Sequence, residues 1–475
     1  MGNFSLFSTY KPDNLTVKRI DRREAAPHQW EDFMKRRFYL FLTGLMILFV
    51  LSGCSKKSTL DPQKPVTLTL WHVYGEQADS PMNRLVEEFN QTAGQEKGII
   101  INVTLMANAS SIGTKLLDAQ KGTPGVPAMP DLFFCHNSNV KELGAENLID
   151  WKDLFTDEEL DGYIPEFLED GMVDGRLSIF PVSKSTHLLY LAGAQFDRFS
   201  ADTGVTADSL STWDGFFDTA EKYYQWSGGK PFCAIDYLIR CVELNAMEKG
   251  ASDFYSDDGW YDFDNEIFKA SYLEFAKAIA KGYIVVSDLY SNTQVMTNEV
   301  AAGLGSSASI LYYNDTITYP DNTSEPMDLR VLPMPKAAGT DLLITQAGVG
   351  LCALKTTEQK MEAAAVFARW LTESRRNLDF CVETGYMPVN RAAFDQIPDY
   401  PFTSEAYKNL YATLNEVNQT GTAIREPSFP GYYAKVYQLY DKIRSEQADL
   451  PTRYQTGTDV GILADEMWDF FRSIQ

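Results

Sequence analysis

The chain has 475 residues, a mass of 53.5 kDa, 44% hydrophobic and 23% charged residues. At ~100–200 residues per domain this length calls for two or three domains, and the ordinary apolar fraction excludes wholesale disorder. A net charge of −23 and an isoelectric point near 4.6 repel phosphate backbones and anionic lipid, so nucleic-acid binding and a polybasic membrane patch are both excluded.

The N-terminal segment differs from the rest. Lys35-Arg36-Arg37 precedes an apolar run from Phe38 to Leu51, which ends in Leu51-Ser52-Gly53-Cys54. A basic stretch followed by a short apolar stretch is the pattern of a signal peptide, and the run is shorter than the ~20 residues of a spanning helix. Small residues before Cys54 resemble the lipobox of bacterial lipoproteins, which implies diacylglycerol on the Cys54 thiol and cleavage before it. Two or more acyl chains anchor a protein stably without a spanning helix. Met34 stands directly before the basic triplet and gives a signal peptide of ordinary proportions. Residues 1–33 read as a mis-assigned extension, or alternatively as an unusually long basic region. Without residues 1–53 the net charge is −26, so the folded part is the more acidic one.

Residues 54–65 are polar and read as a tether. Val66 to Trp71 is a β-rich run. Ser80 and Pro81 start a helix with Met82, Leu85, Val86 and Phe89 on one face, closed by Gly94. Ile99 to Leu105 is a second strand, Thr114 to Gln120 a helix ended by Gly122, and Asp131 to Phe134 a third strand. This alternation predicts a parallel-rich sheet flanked by helices, an α/β fold. Thr212 caps a helix with Trp213, Phe216, Phe217 and Ala220 inward. Thr356 and Gln359 form a capping box ahead of Ala363, Val366, Phe367 and Trp370. Asp459 to Phe471 is a last amphipathic helix, with Val460, Leu463, Met467 and Phe470 inward.

Beyond Cys54 five scattered cysteines remain, Cys135, Cys233, Cys241, Cys352 and Cys381. An odd number is no disulfide framework. Cys233 and Cys241 could pair locally, but most read as buried apolar residues. There is no C-x-x-C pair and no H-E-x-x-H, so no metal site or cofactor is expected. Ser227-Gly228-Gly229-Lys230 is formally S-x-x-K but lacks its companion motifs. No G-x-S-x-G or P-loop occurs, and Asp253 to Glu266 does not fit an EF-hand. No complete catalytic set is present, and an enzyme is not expected.

Several segments fall in an order found in a known family. They are Thr67 to His72, Met129-Pro130-Asp131 to Phe134, Asp174-Gly175-Arg176 to Ser183 with Leu189-Tyr190 after it, Ser211-Thr212-Trp213-Asp214, Leu332-Pro333-Met334-Pro335, Glu362 to Phe367, and Thr384-Gly385-Tyr386-Met387-Pro388. Together they resemble the extracellular solute-binding proteins of ABC importers, in the maltose-binding-like branch (family 1). The resemblance covers nearly the whole chain after residue 65. It implies a two-lobed periplasmic-binding-protein fold of type II with the ligand in an interlobe cleft. Lobe one would be 66–183 plus 330–382, and lobe two 184–329 plus 383–475, with chain crossings near Pro181–Thr186, Leu329–Pro335 and Phe380–Pro388. It also implies a monomeric lipid-anchored receptor on the extracytoplasmic face, which hands a carbohydrate to membrane permease subunits. A receptor of the same fold for a polyol phosphate, and an exported sensor or adhesin, are the alternatives.

In open α/β sheets ligands sit beyond the carboxyl ends of the strands. That rule selects Trp71, His72, Tyr74 and Glu76 after the first strand, and His136, Asn137 and Ser138 after the third. Trp71 and Tyr74 would stack on a sugar face, with Glu76 and Asn137 bonding its hydroxyls; the alternative is that Trp71 faces the core and Glu76 caps a helix. Polar residues in Ser183–His187 must be solvated or used, and Ser185 and His187 are selected there. Ser306 lies in a turn of small residues. By the resemblance, Gln346 falls near the cleft and Tyr432 where relatives place a stacking aromatic. Failing an aromatic clamp, Lys184 or Arg425 would hold a charged ligand.

Overall fold

The computed structural model describes residues 58–74, 80–105, 109–256, 260–288, 290–427 and 431–474. Cys54 and Glu76 lie outside the described residues. The strands that build the two main sheets and the passage between them are β1 (Val66–His72), β2 (Ile99–Leu105), β3 (Leu132–Cys135), β4 (His187–Ala192), β5 (Cys233–Ile235), β6 (Ile284–Val286), β7 (Ala302–Ser306), β8 (Leu329–Pro333), β9 (Leu342–Thr345), β10 (Gly350–Ala353) and β11 (Gly421–Ile424).

The first sheet has the order β10-β3-β1-β2. β1 runs parallel to β2 and β3, and β10 closes the edge antiparallel to β3. The helices Pro81–Gln91 and Ala109–Gln120 form the crossovers between its parallel strands, as parallel pairing requires. Side chains alternate along β1, and both faces are covered. Leu68 and Leu70 join a core with Phe89, Phe134, Trp151 and Phe367, whereas Trp71 and Phe133 join Ile112, Leu116 and Val140 on the opposite face. The second sheet has the order β8-β4-β7-β5-β6. β4 is antiparallel to both neighbours, and β5 is parallel to both of its own. Its core holds Leu189, Trp213, Phe216, Phe275, Tyr440, Trp468 and Phe471.

Three passages of chain meet between the sheets. Lys184 exchanges backbone hydrogen bonds with Met387, and Ser185 exchanges them with Ala347. β9 and β11 pair in parallel beside them. Residues 410–417 of the helix Glu405–Thr420 pack into the first core, and from Tyr432 onward the chain packs into the second. The expected boundary at 382/383 therefore falls ahead of a helix that rejoins the first core.

Most predicted elements form at their predicted places, with local differences. Ser80 accepts from the Asn83 N–H at 3.4 Å with Pro81 at the first helical position. That helix ends at Thr92, however, and Gly94 lies inside a second short helix, Ala93–Lys97. The left-handed cap is Gly98, with φ 74°. The cap of Glu358–Leu371 is Thr357 rather than Thr356, and it accepts from Lys360 N. Thr212 caps its helix as expected, and Asp459, read as the first residue of the last helix, is its N-cap. All five described cysteines are free and buried. The close pair is Cys135 with Cys352, 3.6 Å apart across β3 and β10, and not Cys233 with Cys241.

Candidate functional site

A cavity of about 30 Å³ lies between the lobes, lined by His136, Asn137, Ser138, Asp170, Gln346, Ala347, Gly348, Glu426, Pro427 and Tyr433. Each contributing element delivers its side chains from an end. His136 and Asn137 follow β3 and open the helix Asn137–Leu143, with His136 as its N-cap. Asp170 is the last residue of the helix Pro165–Asp170. Gln346 follows β9, Glu426 follows β11, and Tyr433 stands in the first turn of Tyr432–Glu446. The rule that ligand sites lie beyond strand ends holds for His136, Gln346 and Glu426. The gap is narrow at this point. The His136 and Tyr433 rings meet across the gap, with centroids 6.3 Å apart.

The charges of the cavity are unevenly satisfied. Asp170 bonds the Lys184 ammonium at 2.5 Å and faces the Arg425 guanidinium at 3.7 Å. Arg425 also donates to the Met172 carbonyl at 3.2 Å. Lys184 is thus enclosed in an ion pair, whereas the Arg425 side chain stays 41% exposed. Glu426 accepts from the Tyr433 hydroxyl at 2.6 Å, and burial raises its pKa. Among the described residues it has no ion-pair partner. His136 is held neutral, its pKa lowered to about 4 by burial and then by the Lys184 cation, against an opposing pull from Asp170. Asn137 donates from Nδ2 to the Asp170 carbonyl at 3.0 Å. Gln346, 1% exposed, donates from Nε2 to the Glu166 carbonyl at 3.2 Å. Their amide oxygens, Asn137 Oδ1 and Gln346 Oε1, are buried without a donor among the described residues.

Of the residues selected from the sequence, His136, Asn137, Ser138 and Gln346 line this cavity together. Trp71 does not: it is 3% exposed and packs under the first sheet. The stacking role expected of it is corrected, because alternation along β1 turns its indole into the layer of helices. His72 is buried, with Nε2 2.9 Å from Asn83 Oδ1 and Nδ1 accepting from Tyr74 N, so it ties β1 to the following helix. Tyr74 packs edge-on against Phe134 and Phe380 and reaches Ser183 Oγ at 3.2 Å, near the crossing but off the cavity. Ser185 is used by its backbone in the crossing. His187 is buried, stacked on Tyr237 at 4.5 Å, with Nδ1 unpaired. Ser306 pairs opposite His187 in the β4–β7 ladder, and its hydroxyl caps the next turn. Tyr432 is buried and bonds Glu243 Oε1 at 3.3 Å, beside the enclosed Arg240–Glu243 pair. Its neighbour Tyr433 is the one in the cavity wall, so the aromatic expected of this segment is displaced by one position. Sequence reasoning missed Asp170, Glu426 and Tyr433. Glu426 had a signal, since the strand-end rule applied to β11 leads to it; Asp170, at a short helix end, had none.

A wider groove of about 400 Å³ is lined by Ile164, Phe167, Ile344, Asn415, Ala423 and their neighbours. None of the unpaired buried atoms among the described residues belongs to it, so the smaller cavity is the candidate site.

The fold is that of the type II periplasmic binding proteins. The cyclic α-maltosyl-1,6-maltose binding protein from Arthrobacter globiformis superposes with a TM-score of 0.64 at 16% identity, over 86% of this chain and 99% of its own. The sugar-binding protein MalE from Xanthomonas citri gives 0.63 at 14% identity, over 86% and 97%. UgpB from Mycobacterium tuberculosis, solved with glycerophosphocholine, gives 0.60 at 18% identity, over 86% and 98%. No curated protein matches the chain in sequence. Residues 84–409 match the model of the bacterial extracellular solute-binding protein family, and the chain belongs to that family. It is accordingly an extracytoplasmic solute receptor and not an enzyme.

Proposed function

We propose that this receptor binds a carbohydrate between its lobes and delivers it to the permease subunits of an ABC importer. The observation that carries the reading is the interlobe cavity. Two lining residues, Asn137 and Gln346, carry buried unpaired amide oxygens, and such groups are unfavourable unless a ligand or water satisfies them. The His136 and Tyr433 rings supply the apolar faces on which the C–H surface of a sugar packs. Carbohydrate is also the ligand class named for two of the three structural neighbours above. His136, Asn137, Gln346, Asp170, Glu426 and Tyr433 are the proposed contacts. Lobe one is the first sheet with its core, including the helix Glu405–Thr420, and lobe two is the second sheet with its core. Hinge closure about the crossing at 184–185 traps the ligand, and Cys54 carries the lipid that holds the receptor at the membrane.

The test is a thermal-shift screen over mono- and oligosaccharides, followed by calorimetric titration of the best stabiliser. A saccharide that raises the melting temperature in the wild type, and not in a Gln346→Ala variant of normal apo stability, supports the reading. Stabilisation by no saccharide, or stabilisation that persists when the cavity residues are replaced, overturns it.

A further inference from the structure

The five described cysteines are all buried, but they differ in what each sulfur meets. Cys233 Sγ lies 3.5 Å from the Ala234 carbonyl, and Cys241 Sγ lies 4.0 Å from the Met334 thioether. Cys381 sits in the first core. Among the described cysteines only Cys135 and Cys352 meet a second thiol, with their sulfurs 3.6 Å apart. Both are fully buried and share the apolar cluster of Trp71, Ile112, Leu116 and Val140.

The first sheet brings this pair together. β10 is antiparallel to β3, with Gly350 opposite Cys135 and Cys352 opposite Phe133. The two cysteines are therefore diagonal neighbours on one face, a relation in which side chains reach each other across the ladder. Sulfurs 3.6 Å apart are already in van der Waals contact, and a bond of ~2.0 Å asks for side-chain rotation at both residues. The chain belongs to an extracellular family, and disulfides form and persist outside the cytoplasm.

We propose that Cys135 and Cys352 are oxidised to a disulfide in the exported receptor. The bond staples β3 to β10 at the strand end from which His136 and Asn137 project. The oxidant is a second disulfide, protein-borne or of low molecular weight, met outside the membrane. The thiolate of one cysteine attacks its S–S bond and releases one thiol. The thiolate of the other attacks the mixed disulfide at the cysteine sulfur, forms the Cys135–Cys352 bond and releases the second thiol. Two electrons and two protons pass from the cysteine pair to the oxidant. In the folded chain burial raises the pKa of the Cys352 thiol, and the adjoining Cys135 raises it further. Exchange needs a thiolate, so it takes place while the pair is still open to solvent. Burial likewise raises Cys233, Cys241 and Cys381, and these stay as thiols.

The experiment is a thiol count on the exported protein, collected without reductant. It is opened in guanidinium with excess iodoacetamide and mapped by peptide mass. The expected result is alkylation of Cys233, Cys241 and Cys381, with the Cys135 and Cys352 peptides joined and two hydrogens lighter than the free pair. Prior reduction should free both. Melting supplies a second readout. The closed loop spans the 217 positions between the cysteines, and such a cross-link constrains the unfolded chain. The oxidised protein should therefore melt several degrees above the same protein reduced, whereas Cys352→Ala should melt alike with and without reductant. The peptide map of the wild type decides the question even where that variant fails to fold. Alkylation of Cys135 and Cys352 without prior reduction would overturn the proposal, and so would a bond from either to another cysteine. A joined pair whose reduction leaves the melting point unchanged would overturn the stapling role.

Discussion

The two walls of the cleft are built differently. Lobe one presents hydrogen-bonding groups at the ends of short elements: His136 and Asn137 at a helix start, and Asp170 at a helix end braced by Lys184. Lobe two presents a carboxylate and an aromatic face, Glu426 and Tyr433, on a segment whose support is wholly enclosed. The Arg425 carbonyl is bonded by Arg240, and Tyr432 and Tyr261 both bond Glu243. In each wall a large aromatic lies one layer behind the surface, Trp71 in one and Tyr432 in the other. On the proposed reading, lobe one would align a ligand through fixed dipoles, while lobe two would supply contact area on a rigid bed.

The largest effect belongs to the layer behind lobe one. Trp71→Ala should destabilise the protein by about 3–5 kcal/mol, as loss of a large core aromatic does, with affinity unchanged. Urea unfolding paired with titration checks this, and lost affinity at unchanged stability would move Trp71 back to the wall. Next comes the brace of lobe one. Lys184→Met leaves Asp170 with Arg425 alone, at 3.7 Å. The expected loss is roughly 2–3 kcal/mol, below the ~3–5 kcal/mol of a fully enclosed pair. An unchanged urea midpoint would mean that Arg425 suffices.

The two histidines separate the walls by pH. Burial lowers the pKa of His187 to about 3, with the Arg240 cation adding to it. The unfolded chain therefore binds a proton between about pH 6.5 and pH 3 that the folded chain refuses, and stability falls as pH falls through that window. By pH 5 the loss amounts to roughly 2 kcal/mol, and His187→Gln should remove it. His136, lowered to about 4, loses a nearly equal amount by pH 5, but its contribution levels off below about pH 4 while that of His187 continues to about pH 3. Unfolding followed down to about pH 3.5 in the three proteins decides, and equal losses there would show that the two environments are alike. The smallest effect contrasts neighbours in lobe two. Tyr432→Phe, which removes the hydroxyl bonded to Glu243 and Tyr261, should cost about 1–2 kcal/mol of stability without touching affinity, and Tyr433→Phe should lower affinity with little change in melting.

Fold class and most helix faces could be read from the sequence because they are local: β-rich runs, capping residues and inward stripes repeat with the period of their element. The strand-end rule also found His136 and Asn137. The failures share a cause. Whether Trp71 or Tyr432 faces the cleft depends on a choice between adjacent positions, which alternation along β1 or a helix turn makes only once the opposing layer is in place. Asp170 belongs to the site through Lys184 and Arg425, residues brought to it from two other passages of chain, and no local pattern encodes that meeting.

The closing strand of the first sheet has a kinetic meaning. Cys135 and Cys352, in contact across β3 and β10, are 217 positions apart in the chain, and the helix that covers β1 runs from Glu358 to Leu371. When β1, β2 and β3 leave the ribosome, their edge and one face have nothing to pair with until the entire second sheet has followed. Contacts this distant form late and slowly, because a long loop must close before they contribute. Completion of the first sheet therefore has to wait for residues that follow the whole second sheet in the chain.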